Sequence, residues 1–131
     1  MIILSTKPIV QKLLIKPGEK ILFINPPDGY FDIIGEIPKD VQVVDELEED
    51  LDFIQVFVKN KSELEKHLPK VKDYVKQKGK LWISYYKLTS KHASDINRDK
   101  INEYAQSLGL KGIFMISIDE NWSGLRLKKL E

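Results

Sequence analysis

Apolar residues gather in short runs along the chain. Ile21–Ile24, Val41–Val44, Phe53–Val58 and Leu81–Tyr85 are continuous and rich in β-branched and aromatic residues. They do not alternate with polar positions, which is how strands read when helices cover both faces of their sheet. Ile113–Ile118 is a fifth run, and Leu125–Lys129 alternates as an edge strand does. Between these two lies the polar stretch Asp119 to Gly124, short enough for a hairpin.

Three segments between the runs carry helical periodicity. From Ser62 towards Lys78, Leu64, Leu68, Val71 and Val75 fall on one face, and Ser62 with Glu65 matches a Ser-x-x-Glu capping box. Pro69 interrupts that pattern and predicts a kink, or a turn followed by a helix that starts at the proline. A second helix is predicted from Asn97 to Leu108, capped by Asn97, stopped by Gly109, with Ile101, Tyr104, Ala105 and Leu108 inward. A third covers Pro8 to Ile15, opened by Thr6 and Pro8, and Tyr30–Glu36 has room for only a turn or two. Strands alternating with helices imply an α/β domain whose sheet is mostly parallel and covered on both sides. Gly18, Gly79 and Gly109 each follow a periodic segment and precede an apolar run, as left-handed punctuation from helix to strand.

Composition narrows the chemistry. With 131 residues the chain has the length of one domain, and 42% hydrophobic against 31% charged residues place it among globular proteins. A net charge of +1 gives no general attraction to nucleic acid or anionic lipid. Zero Cys excludes disulfides and thiolate metal sites, and two His do not suffice for a histidine zinc site. The opening apolar stretch, Met1 to Leu4, is too short for a signal peptide or a membrane span, so a cytoplasmic location is expected. Charge is uneven locally. Glu36 to Asp52 holds eight acids and one base, whereas Lys59 to Lys91 holds ten Lys and three acids. Such runs are solvated faces or docking surfaces for a partner of opposite sign. His67 and His92 have no Ser, Cys or acid at triad spacing and read as solvent-facing, and the acids at Asp45–Asp50 lack the spacing of a calcium loop.

Several segments resemble class I S-adenosylmethionine-dependent methyltransferases. Leu13 to Ile24 looks like the lead into their first strand, Asp52 to Val58 like their fourth, and Leu68 to Ser84 like the following helix, Gly turn and fifth strand. A closer resemblance is to a small prokaryotic family of unknown function, through Asn25-Pro26-Pro27-Asp28-Gly29-Tyr30 and Asp119 to Leu125. The resemblance implies a reduced Rossmann-like fold of methyltransferase type, a single domain over residues 1–131. Its sheet order is expected to be 2-1-3-4-6-5, with the last strand antiparallel.

The departures bear on function. Active members follow the first strand with a Gly-x-Gly loop, where bare backbone approaches the cofactor. Here Pro26 and Pro27 stand in that place, and proline offers no N–H. Asn25 to Asp40 leaves sixteen residues for the first crossover, and an equivalent of the family's third strand is missing. Asn25-Pro26-Pro27 is also similar to the Asn-Pro-Pro-Tyr of adenine amino-methyltransferases, but Asp28 stands where the aromatic belongs, and the motif follows the wrong strand.

In open parallel sheets ligands bind beyond the carboxyl ends of the strands. That rule nominates Asn25, Asp28, Gly29 and Tyr30 after the first strand and Asp45 after the second, where an acid could hold ribose hydroxyls. It also nominates Lys59 and Asn60 after the third, Tyr86 and Lys87 after the fourth, and Trp122 in the hairpin. A tight turn built on Pro, Asp and Gly explains Asp28 and Tyr30 without a ligand, and Trp122 either caps the sheet end or meets a partner. No nucleophile–base pair, Gly loop or metal cluster stands out. The expectation is therefore a non-catalytic domain, without cofactor, that binds a protein or small ligand at the carboxyl-end edge. The alternative is an S-adenosylmethionine-dependent methyltransferase or other nucleotide-binding enzyme with an atypical first loop. Self-association through the hairpin edge and Trp122 is a third route.

Overall fold

The computed structural model describes residues 7–130. Its strands are β1 (Lys20–Ile24), β2 (Gln42–Val44), β3 (Leu51–Phe57), β4 (Val75–Tyr86), β5 (Leu110–Ser117) and β6 (Trp122–Lys129). They form one sheet in the order β2-β1-β3-β4-β6-β5. β1 to β4 pair in parallel, and β6 runs antiparallel between β4 and β5. This is the expected Rossmann-like arrangement. The alternation of β6 does not mark an edge, however, because β5 takes the edge and β6 is interior. Leu125 and Leu127 turn to a covered face, while Arg126 and Lys128 turn to a face that the helices leave partly open at this end.

The helices are α1 (Ile9–Lys12), α2 (Tyr30–Ile33), α3 (Lys61–Val71) and α4 (Arg98–Ser107). Alternate residues of each central strand serve opposite faces. On one, Leu22, Ile54, Val56, Leu81 and Ile83 pack under α3 and α4, with Leu64, Leu68, Ile101 and Ala105. On the other, Ile21, Phe53, Phe57 and Trp82 pack under α1 and α2, with Ile9, Val10, Tyr30 and Ile34. No helix among the described residues is long and apolar enough to cross a membrane.

α4 begins as predicted, with Asn97 Oδ1 accepting the Lys100 N–H at 2.9 Å. α3 does not: its cap is Asn60, whose Oδ1 accepts the Glu63 N–H at 2.9 Å while Glu63 Oε1 accepts the Lys59 N–H at 2.8 Å. The capping box therefore sits two residues before Ser62. The helix also ends early. Pro69 lies inside its last turn without an N–H to donate, and the chain turns at Lys72–Tyr74. Val75 then enters β4 opposite Leu51, so residues expected in the helix belong to a strand. Gly79 is accordingly not a helix stop. It lies where the β3–β4 register shifts, and a Cβ there would come within 2.7 Å of Val75 Cγ2 and 3.1 Å of the Asp52 carbonyl. The helix expected over Pro8–Ile15 contracts to α1, and Leu14 beyond it takes φ +64°. Thr6 lies outside the described residues.

Candidate functional site

The loop after β1 is shaped by backbone before side chains. Asn25 takes φ +55°, a left-handed conformation that Asn tolerates better than most residues. Pro26 and Pro27 follow, and the Tyr30 N–H closes a turn on the Pro27 carbonyl at 3.0 Å. Gly29, at φ +79°, caps α2. The turn leaves Asn25, Asp28 and Gly29 exposed and drives Tyr30 inward, where it is 1% exposed. Its hydroxyl donates to Gln55 Oε1 at 2.8 Å, and Gln55 Nε2 donates to Ser84 Oγ at 2.8 Å. This buried chain ties α2 to β3 and β4. The Tyr30 ring meets Phe57 edge to face at a centroid distance of 4.8 Å. Burial pushes its phenol well above the ordinary tyrosine range.

Asn25 is not free either. Its Nδ2 lies 3.3 Å from Nε2 of His67, which is half-buried on α3. Because the amide nitrogen only donates, Nε2 accepts. Burial, helped by Lys66, holds the His67 pKa below its usual value, in keeping with that neutral acceptor. His67 is therefore not the solvent-facing residue expected, whereas His92 is exposed beside the Tyr86 ring. Asp45 stands exposed just past β2. Lys59 is exposed, and Asn60 is engaged as the cap of α3.

The far end of the sheet is tightly tied. Asp119 Oδ1 accepts the Asn121 and Trp122 N–H groups, both at 2.8 Å, and Lys87 Nζ donates to Ser117 Oγ at 2.6 Å. Trp122 is 5% exposed, with its ring 4.1 Å from Tyr86 and 5.1 Å from Phe57 between centroids. It caps the sheet end.

Of the candidates, Asn25, Asp28 and Gly29 share one loop and Asp45 lies just past the neighbouring strand. Lys87 lies across the sheet, lining a 330 Å³ cavity with Tyr85, Asn97, Arg98 and Met115. Tyr30 and Trp122 are core residues. Larger cavities lie elsewhere, among them one of 510 Å³ between α3 and α4 and one of 560 Å³ between α1 and β5. Among the described residues no three carboxylates or imidazoles converge as metal ligands would. Gln55 and Ser84 escaped sequence reasoning. Gln55 did leave a signal, as the lone polar residue within the apolar run Phe53–Val58.

No protein-family model matches the chain, and no curated protein matches it. Solved structures do. A ribosomal protein L11 methylase of Lactobacillus delbrueckii is 11% identical with TM-score 0.61, over 93% of this chain and 75% of that one. An S-adenosylmethionine-dependent methyltransferase of Aquifex aeolicus is 14% identical with TM-score 0.60, over 90% and 86%. A 1,6-didemethyltoxoflavin methyltransferase of Burkholderia thailandensis, solved with S-adenosylhomocysteine, is 10% identical with TM-score 0.57, over 94% and 75%. The chain thus has the Rossmann-like fold of S-adenosylmethionine-dependent methyltransferases. At such identities the likeness extends to the fold and not to the activity.

Proposed function

We propose that this is a methyltransferase-like domain that works by binding rather than by catalysis, at the carboxyl-end edge of its sheet around Asn25, Asp28, Gly29 and Asp45. The observation that carries the reading is the loop from Asn25 to Tyr30. Two consecutive residues without an N–H follow the first strand, and the next side chain able to hydrogen-bond inward is locked onto Gln55. S-adenosylmethionine held against bare backbone does not fit such a loop, because the prolines supply bulk where the ligand needs space and donors. The exposed groups that remain are carboxylates and an amide, which suit a ligand rich in N–H, O–H or cationic groups.

The fold itself favours a second reading, an enzyme with an atypical first loop in which Asp45 would accept hydrogen bonds from a ribose. Thermal unfolding with S-adenosylhomocysteine separates the two. We expect no rise in Tm on adding about 1 mM ligand, since a ligand present far above its Kd would stabilise by several kcal/mol. An upward shift of several degrees that Asp45→Ala abolishes would establish the enzyme reading instead.

A further inference from the structure

Six of the eight large apolar side chains left exposed among the described residues sit at the two edges of the sheet, each between 44% and 54% exposed. At one edge they are Ile113, Phe114 and Met115 of β5; at the other, Phe31 and Ile33 of α2 and Val43 of β2. Edge strands are ordinarily defended by charge, yet residues 112–118 carry none. The rims differ in sign. The 560 Å³ cavity beside β5 is lined by Lys7 and Lys12 and by no acid, Lys12 Nζ donates to the Ser117 carbonyl at 3.1 Å, and Lys111 is exposed on β5. Around β2, Asp32, Glu36, Asp40, Asp45 and Glu46 are exposed and outnumber the nearby bases, exposed Lys39 and Lys20, which stands opposite Gln42 with its ammonium 3.7 Å from Glu48.

We propose that the chain binds a second copy of itself head to tail, the basic β5 edge of one copy meeting the acidic β2 edge of the next. The geometry permits it. β1 to β4 are parallel and β5 is antiparallel to β6, itself antiparallel to β4, so β5 and β2 run the same way. A copy displaced along the sheet therefore sets β5 parallel to the neighbouring β2, with α1 and α2 of both copies on one side. Phe114 and Val43 then adjoin on the α1–α2 face, because Val43 pairs with Ile21 and Phe114 packs on Trp82, both in the same core. Met115 turns instead to the α3–α4 face, where the Tyr85 hydroxyl reaches its sulfur. Two-fold pairing of β5 with β5 would bring Lys7, Lys12 and Lys111 against their own copies, and pairing of β2 with β2 would oppose the acids. Because β2 has only three residues, the ladder is short and the association weak and concentration-dependent.

Two one-sided variants test this by sedimentation velocity, with circular dichroism confirming that each folds. Lys111→Glu with Ile113→Glu blocks the β5 edge, and Ile33→Lys with Val43→Lys blocks the β2 edge. The wild type is expected to rise above 15.2 kDa with concentration and to fall back at about 0.5 M salt. Each variant alone stays monomeric, and their mixture gives a 1:1 species of about twice the 15.2 kDa monomer. Self-dimerisation of the β2-blocked variant would replace the proposal with β5–β5 pairing. A monomeric wild type and mixture at every concentration would overturn it. Should the strand variants not fold, Lys111→Glu and Glu36→Lys alone give the same comparison on exposed residues.

Discussion

Asp52 shows how a single residue can carry measurable stability at the sheet's amino end. Its carboxylate accepts the Lys20 N–H and the Lys76 ammonium, both at 2.8 Å. Burial is the largest single influence and pushes its pKa up, but those two bonds, with the charges of Lys76 and Lys80, together hold the group below the usual carboxylate value. A depressed folded pKa means stabilisation is fully present above the unfolded value of about 3.9 and lost as pH falls through the folded one. Asp52→Asn is expected to cost about 1–2 kcal/mol at pH 7, with the gap to wild type closing below about pH 4. Urea melts at pH 7 and pH 3 check this, and an equal gap at both would show that the charge is not responsible. Contacts of this kind are poorly legible in a sequence, because the partners lie 32 and 24 positions away. Tyr30 is the sharper case. The sequence offers Tyr30 either to a ligand or to the tight turn beside it, and only the folded chain shows that Gln55, 25 positions on, awaits its hydroxyl.

Helix α3 makes the same point at the scale of an element. Asn60-x-x-Glu63 and Ser62-x-x-Glu65 both match a capping signal, and both leave Leu64, Leu68 and Val71 on one face. The choice between them is tertiary, since the Lys61 N–H is met at 2.9 Å by Asp95 from the loop before α4. Asn60→Ala should therefore lower stability by about 1 kcal/mol, whereas the exposed Ser62→Ala should stay within about 0.5 kcal/mol. Chemical denaturation of the pair decides it, and the reverse ranking would move the cap to Ser62. The strands were more legible than the helices. The unbroken apolar runs of β1, β3 and β4 reflect two covered faces, a condition local to each strand, whereas the equally apolar runs of β2 and β5 lie at open edges. The end of α3 depended on Val75 finding Leu51.

For the molecule as a whole, one sheet serves two cores. Both tryptophans report on the α1–α2 side, while α3 and α4 supply most of the helical signal from the other. β1, β3 and β4 each contribute residues to both, so tryptophan fluorescence and far-UV dichroism are expected to give coincident urea transitions. Separate midpoints would mean that one layer melts by itself. The sheet order followed from family resemblance, whereas the open face beside β5 could not be read from periodicity, because coverage is set by where short α1 and α2 come to rest. The interior place of β6 has a consequence for biosynthesis. A nascent polypeptide that has emerged only as far as Ser117 holds β4 and β5 with the strand between them still missing. Two unmatched borders then stay open on the ribosome until Trp122–Lys129 slides in as a keystone, so the sheet can close only after translation has passed Lys129.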